Sequence, residues 1–136
     1  MFQIVGKTYT VSREYLEKVA SAAFSFLSPG RAEVELKFVS VPEITRLNTV
    51  YRGKKQPTDV LSFVLDEKPL LGQVFICYNF TKAQAKALGK SIEAETALLL
   101  THGILHIAGF DHENAEEAKV MEKAESEILH KLGIER

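Results

Sequence analysis

Apolar and polar positions in the first third of the chain follow an extended, then a helical and again an extended pattern. Residues 2–5 are a short strand candidate. Beyond a candidate N-cap at Ser12, apolar residues recur every three or four positions, which predicts an amphipathic helix that the Ser-Pro-Gly segment 28–30 ends. The inward face of that helix is Leu16, Val19, Ala20, Ala23, Phe24 and Leu27. Alternation of apolar and charged residues over 32–39 predicts a half-buried strand.

A helix start signal opens the middle of the chain. Ser40 and Glu43 have the spacing of a capping box, and Pro42 stands in the first helical turn. We therefore predict a short helix that ends at Gly53. The residues predicted to face inward are Ile44, Leu47 and Tyr51.

The second half of the chain predicts two strands followed by three helices. The strands are expected at 60–65 and 73–78 with a turn at 66–71, and the helices at 81–88, 91–108 and 115–132. Four strands and about five helices that do not alternate strictly predict an α+β fold with one sheet. A length of 136 residues predicts one domain over 1–136.

Charge is unevenly distributed along a chain whose net charge is −1. Residues 1–60 carry nine basic and six acidic side chains, whereas residues 61–136 carry eight and twelve. The near-neutral total excludes a polybasic binder whose affinity comes from bulk positive charge. The basic residues Arg46, Arg52, Lys54 and Lys55 nevertheless lie close together with no acidic residue between them. This cluster indicates an acidic partner or a solvated loop, and charge alone favours the loop.

Cysteine use and hydropathy set the expected compartment. The one cysteine, Cys77, lies in an apolar run, so we expect a buried thiol and no disulfide within the chain. The N-terminus lacks the pattern of a signal peptide, and no apolar run is long enough to span a membrane. These features predict a cytoplasmic protein.

Three of the four histidines lie in one short segment, and their spacing is that of a metal site. His102 and His106 are one helical turn apart and therefore share a face. Gly109 allows the sharp turn that brings His112 to the same ion. Three imidazoles without a thiolate leave one coordination position open, which is typical of a catalytic zinc site. A purely structural cluster is the alternative, and it is disfavoured because this spacing rarely arises by chance.

The same spacing occurs in metzincin proteases, whose motif is H-E-x-x-H-x-x-G-x-x-H. Gly103 stands where those proteases carry the glutamate that acts as general base. Peptide hydrolysis by that route needs a carboxylate beside the metal. Met121, the only later methionine, lies within a predicted helix, which leaves little room for a methionine turn. A small metalloprotease is therefore the second hypothesis, and His130, alone on the last helix, is expected at the surface.

Two blocks of sequence carry a wider similarity. Residues 102–112 read HGILHIAGFDH, and residues 47–63 read LNTVYRGKKQPTDVLSF. These blocks resemble the patterns H-G-x-L-H-L-x-G-Y-D-H and L-N-x-x-Y-R-x-x-x-x-P-T-[DN]-V-L-S-F of the YbeY family, the bacterial metal-dependent endoribonucleases of ribosomal RNA maturation. Gln73 and Val64 depart from the family, which usually has Asp and Pro there. If the usual Asp helps to position substrate or metal, its loss weakens catalysis or changes metal dependence.

The resemblance implies a fold, a metal and a cellular role. The fold would be a zincin-like α+β domain with a mixed sheet of about four strands surrounded by helices. His102, His106 and His112 would bind one Zn²⁺ ion, with His102 also counted as catalytic. The implied partners are ribosomal RNA precursors and the ribosome or small-subunit assembly factors, with neither DNA nor a membrane. The implied role is maturation of small-subunit ribosomal RNA and ribosome quality control; a ribosome-associated module with structural zinc is the third hypothesis.

Arg52 matches the family's catalytic or substrate-binding arginine. Its guanidinium is always cationic and can stabilise, with two hydrogen bonds, the charge that develops on phosphoryl oxygens. Lys54 and Lys55 are expected either to contact RNA phosphates or to be solvated loop charges. The nucleophile is left open between a metal-activated water and the neighbouring ribose 2′-OH.

Residues beside these motifs have two possible roles each. Asp111 is expected either to orient a histidine or to cap the following helix. Thr58, Asp59 and Ser62 either support the loop after Arg52 or form a structural turn and strand.

Overall fold

The computed structural model describes residues 2–27, 33–65 and 72–135, and within them the chain forms four strands and five helices. The elements in chain order are β1 (Phe2–Val5), α1 (Arg13–Phe26), β2 (Val34–Val39), α2 (Val41–Arg52), β3 (Val60–Val64), β4 (Gly72–Cys77), α3 (Tyr78–Leu88), α4 (Ile92–Ile107) and α5 (Ala115–Lys131). The α+β class predicted from the sequence is confirmed. The predicted helix end at 28–30 and the predicted turn at 66–71 lie outside the described residues.

The sheet is mixed and has the strand order β1-β2-β4-β3. β1, β2 and β4 run parallel to their neighbours, whereas β3 pairs antiparallel with β4 at one edge. Parallel neighbours require a crossover connection, and α1 provides it between β1 and β2. In the register of the edge pair, Ser62 lies opposite Val74. This pairing places β3 beside the helix that carries the histidines.

Apolar side chains pack on both faces of the sheet. The larger core joins β2 and β4 to α1, α4 and α5, and it includes Leu36, Val74, Leu100 and Ile128. The smaller core packs α2 against the opposite face and consists of Val39, Ile44, Leu47, Leu61 and Cys77. The expected burial of the Cys77 thiol is confirmed. Among the described residues, no helix has the length and apolar character needed to cross a membrane.

α4 is the central helix and contacts α1, α3, α5, β3 and β4. Two glycines allow it to lie close to β4. A Cβ atom on Gly103 would lie 2.9 Å from side-chain carbons of Val74, and one on Gly72 would lie 2.6 Å from Ile107. Carbon atoms cannot approach so closely without a shift of helix or strand. The two glycines therefore set the distance from the sheet at which the histidine face of α4 lies.

Helix ends follow the predicted signals closely. The side chains of Ser12 and Ser40 accept hydrogen bonds from backbone N–H groups of the first helical turn. Gly53 ends α2 with a φ of 68°, and Gly89 ends α3 with a φ of 67°. Because this left-handed conformation favours glycine, Gly53 stops α2 as expected, and Gly89 stops α3 in the same way.

Two local predictions are wrong. Tyr51 is 64% exposed rather than buried, because Asn48, only 2% exposed, completes the inner face of α2 while Tyr51 lies in its last turn. The strand predicted over 73–78 ends at Cys77, and Tyr78 already begins α3. Cys77 at the N-cap makes no side-chain capping bond, so the sequence carries no start signal for that helix.

Candidate active site

His102 and His106 lie one turn apart on the partly exposed face of α4. The Nδ1 atom of His102 is 2.6 Å from Oε2 of Glu125, and the Nδ1 atom of His106 is 3.1 Å from Oγ of Ser62. Because both Nδ1 atoms are engaged, Nε2 is the ring nitrogen left for a ligand. Metal-binding histidines show this pattern, since their other ring nitrogen bonds an oxygen partner. The predicted histidine face is thus built from three elements, α4, α5 and β3.

Glu125 is a site residue that the sequence analysis missed. It lies on α5 and is 2% exposed, so its carboxylate is held in the protein interior. A buried carboxylate needs polar partners, and the imidazole of His102 supplies one. The available signal was its position on the apolar face of the helix, between Met121 and Ile128. An acidic residue on such a face indicates a buried partner.

The turn after α4 brings His112 back beside His102. Gly109 adopts a φ of 107°, as predicted, and the N–H of Phe110 donates to the carbonyl of Leu105 at 3.0 Å. The rings of His102 and His112 then stack with their centroids 5.6 Å apart and an angle of 29° between their planes. The third predicted ligand therefore lies next to the first.

Asp111 holds this turn through the backbone. Its Oδ1 accepts a hydrogen bond from the N–H of His112 at 2.7 Å. Asn114 is the N-cap of α5 and accepts from the N–H of Glu117 at 2.9 Å. The interpretation of Asp111 as the cap of that helix is therefore wrong, because Asn114 has this role. Asp111 instead fixes the position of a histidine that follows it directly.

Burial and the neighbouring charges lower the pKa of His106. Burial lowers the pKa of His106, the Asp111 carboxylate raises it, and electrostatic interactions with His102, His112 and Arg52 lower it further. The net direction is a pKa below the usual histidine value, which favours the neutral imidazole that binds metal ions. Arg52 and Asp111 are therefore close enough to His106 for their charges to change its pKa.

The donor set fits zinc in its chemistry, although the side chains do not form a closed site. In the described part of the chain, no group of three or more His, Cys, Asp or Glu side chains is arranged to hold a metal ion. Two of the three imidazoles nevertheless have Nδ1 anchored, and the third, His112, is an exposed residue on a turn beside them. An exposed ring changes rotamer at low cost. Zinc accepts neutral imidazole nitrogen readily, so these residues fit the ion.

Gly103 separates this site from that of the metzincin proteases. Its missing Cβ is directed at the side chain of Val74 on β4, not at the histidine face. A side chain at position 103 would point into the sheet. The position at which those proteases carry their general base therefore has no room for a carboxylate.

Arg52 is the last residue of α2, and hydrogen bonds to Asn48 of the same helix hold the loop that follows. The side chain of Asn48 donates from Nδ2 to the backbone carbonyl of Gln56 at 2.8 Å, and the backbone carbonyl of Asn48 accepts from the N–H of Lys54 at 3.3 Å. Asn48 is buried, whereas Arg52, Lys54 and Lys55 are exposed. The structure thus exposes three positively charged side chains at the end of α2 and on a loop that is hydrogen-bonded to Asn48. The charge of Arg52 also contributes to the lowered pKa of His106.

A partly buried polar network connects the end of this loop to α3 and α4. Thr58 donates to Oδ1 of Asp59 at 3.3 Å, and Gln84 donates from Nε2 to Oδ2 of Asp59 at 3.3 Å. The same Nε2 donates to Glu95 at 2.5 Å, and Lys90 donates to Glu95 at 2.9 Å. Glu95 is 2% exposed and was not identified from the sequence. Thr58 and Asp59 thus connect the end of the loop after Arg52 to α3.

Comparison with known proteins identifies the family. The family model described as "Endoribonuclease YbeY" matches residues 4–133. The chain belongs to this family. Endoribonuclease YbeY of Halalkalibacterium halodurans is 40% identical over an alignment that covers 98% of this chain and 91% of the relative. Endoribonuclease YbeY of Legionella pneumophila (strain Corby) is 38% identical and covers 94% and 85%.

A solved structure shows the same fold. The solution structure of TM1509 from Thermotoga maritima aligns with a TM-score of 0.65 and 29% sequence identity, over 98% of this chain and 92% of that chain. The similarity to the YbeY family inferred from the two sequence blocks is therefore confirmed over nearly the whole chain.

Of the two departures from the YbeY pattern, Gln73 lies on the face of the sheet away from the histidines. Gln73 donates to Glu35 at 3.3 Å, on the side of the sheet opposite α4, because its neighbour Val74 faces α4. Val64 is an exposed residue at the end of β3. His130 is exposed in the last turn of α5, as predicted for a surface residue.

Proposed function

We propose that this YbeY-family protein is a zinc-dependent endoribonuclease that cleaves single-stranded RNA. It would act in the cytoplasm, on precursors of small-subunit ribosomal RNA and in ribosome quality control, in contact with the ribosome or its assembly factors. One observation carries the proposal: His102 and His106 share a face of α4, and each has Nδ1 bonded to an oxygen partner. The name shared by the relatives, Endoribonuclease YbeY, supports RNA as the substrate.

The metal would be held by His102, His106 and His112. Three protein ligands leave a position open for substrate or water, which distinguishes a catalytic site from a structural one. When bound, zinc supplies Lewis-acid chemistry that polarises a phosphoryl oxygen and makes water a better nucleophile near neutral pH. The same donor set accepts nickel, copper or iron.

Glu125 and Ser62 would determine which ring nitrogen faces the metal. The carboxylate of Glu125 accepts the Nδ1 proton of His102, so the lone pair lies on Nε2. Because Glu125 is buried, water does not compete for this bond. Ser62 would have the corresponding role for His106 from the edge strand β3, with its Oγ accepting the Nδ1 proton. Both rings are thereby oriented before an ion arrives.

Arg52 would bind the phosphate at which the chain is cut. Its side chain is exposed at the end of α2, where an RNA strand can reach it, and its charge acts on His106. The guanidinium can donate two parallel hydrogen bonds to phosphoryl oxygens and stabilise the negative charge that develops there. Lys54 and Lys55, exposed on the same loop, would contact flanking phosphates and make binding dependent on salt.

The decisive variant is Arg52→Ala, compared with Lys18→Ala on the exposed face of α1 as a control that also removes one positive charge. Zinc content by elemental analysis and cleavage of an unstructured RNA are measured for each. We expect Arg52→Ala to keep its zinc and lose about 100- to 1,000-fold in cleavage rate, as when a group that stabilises transition-state charge is removed. Zinc-loaded wild-type protein that leaves RNA uncut would contradict the enzyme proposal and support a structural zinc.

A further inference from the structure

Tyr51 is an exposed aromatic residue directly before Arg52. It is 64% exposed, and its ring packs against Phe63 with a centroid distance of 5.0 Å. Phe63 in turn packs edge-on against Phe75 at 5.8 Å. The ring of Tyr51 thus packs on an aromatic side chain of β3, which packs in turn on one of β4, while most of the Tyr51 surface is exposed to water.

A second large apolar side chain is exposed in the same turn of α2. Val50 precedes Tyr51 and is 62% exposed. The contact between Tyr51 and Phe63 brings the ends of α2 and β3 together. Scattered exposed apolar residues are ordinary, whereas this exposed ring directly precedes the candidate active-site residue Arg52, which makes it a candidate contact for the substrate.

The charges on this surface indicate what it binds. Arg46, Arg52, Lys54 and Lys55 are all exposed, and no acidic residue occurs in the segment 44–58. Basic side chains next to an accessible aromatic ring are the combination that binds single-stranded nucleic acid, because the cations contact phosphates and the ring stacks on a base. In a duplex the bases are stacked on each other and are not available to the ring.

We propose that Tyr51 is a stacking platform for one unpaired nucleobase of an RNA strand whose phosphates follow residues 52–55. This inference rests on the proposed function and adds to it the means by which an unpaired base is recognised. Since Tyr51 and Arg52 are consecutive, the stacked base belongs to a nucleotide next to the phosphate that Arg52 binds. Stacking uses the face of the base and not its edges, so the platform accepts any base.

The test is a binding measurement with metal-chelated protein, in which cleavage does not interfere. Fluorescence anisotropy gives the affinity for a short unstructured RNA and for the same chain with abasic sugars. Tyr51→Leu removes the ring, Tyr51→Phe keeps it, and Tyr9→Leu is the control because Tyr9 is 55% exposed beside Phe38 and Tyr78. Circular dichroism confirms that each variant is folded.

We expect Tyr51→Leu to bind intact RNA roughly tenfold more weakly than wild type does. Its affinity for the abasic chain should stay unchanged, and Tyr51→Phe and Tyr9→Leu should bind both chains as wild type does. Equal loss of affinity for both chains, or a Tyr51→Phe variant as weak as Tyr51→Leu, would overturn the inference. Unchanged RNA binding together with lost binding to a protein would also overturn it and make the surface a protein-docking site.

Parallel cleavage assays with zinc-loaded wild-type protein separate this inference from the proposed function. Base-dependent binding without cleavage would refute the enzyme and leave the platform in place. Cleavage without base-dependent binding at Tyr51 would leave the enzyme and refute the platform.

Discussion

The helix side and the loop side of the candidate site differ in how firmly the fold holds their side chains. On the helix side, His102 and His106 are half-buried on α4, and each ring is fixed by a side chain from another element. On the loop side, Arg52, Lys54 and Lys55 are exposed at the end of α2 and in the loop that follows it. Hydrogen bonds on the helix side join the histidine rings of α4 to side chains of α5 and β3. Hydrogen bonds on the loop side mostly fix backbone atoms.

This difference separates two tasks of a metal-dependent nuclease. Ligands that bind an ion gain from fixed geometry, because every ring that is ordered in advance costs less on binding. Residues that receive a flexible RNA strand gain from exposure and adaptability, which loops provide. We therefore expect changes on the helix side to alter folding and zinc affinity, and changes on the loop side to alter RNA binding and cleavage.

The largest effect is expected from Gly103→Glu, which adds the protease general base to this sequence. The new side chain would enter the contact between α4 and Val74 of β4, and an unpaired charge would be buried. We expect the free energy of unfolding to fall by about 3–5 kcal/mol, measured by denaturant titration. Gly103→Ala adds only the Cβ and should cost less. A Gly103→Glu variant as stable as wild type that cleaves peptides would contradict this placement of the helix.

The next effect is expected from Glu125→Gln. The amide keeps the shape but removes the charge that favours the Nδ1–H form of His102, so zinc affinity should fall by about 10- to 100-fold. Competition with a chelating dye measures it. Glu127→Gln, at an exposed position of the same helix, is the matched control and should bind zinc as wild type does. Equal zinc affinity in both variants would show that Glu125 does not orient the ligand.

Ser62→Ala tests the second histidine partner. It removes one uncharged hydrogen bond to His106, which is worth about 0.5–1.5 kcal/mol, or up to roughly tenfold in zinc affinity. The same competition assay applies. A loss of zinc affinity larger than that of Glu125→Gln would show that Ser62 on β3, not Glu125 on α5, contributes more to orienting the histidines.

The smallest effect is expected from Lys54→Gln and Lys55→Gln, each compared with Lys18→Gln. Each loop variant should weaken RNA binding regardless of sequence and reduce the salt dependence of binding by about one phosphate contact, a slope near 0.7 for single strands. Zinc affinity should not change. Unaltered salt dependence in both variants would identify these lysines as solvated loop charges.

The parts of this protein that follow local rules were predictable from its sequence. The histidine face of α4 follows from a spacing of four residues, and the turn at Gly109 follows from the conformational freedom of glycine. Glu125 and Ser62 were not identified as partners of the histidines, because these contacts join residues 23 and 44 positions apart. Helical periodicity also failed for Tyr51, because in the last turn of α2 its ring packs against Phe63 of β3 and is otherwise 64% exposed.

Zinc content and RNA cleavage, measured on one nuclease-free preparation with and without chelator, test the central claim most directly. We predict one zinc ion per chain in active protein, loss of cleavage when the ion is removed, and recovery when zinc is restored. Full cleavage by zinc-free protein, or no cleavage by protein with a full complement of zinc, would contradict a catalytic metal site at these three histidines.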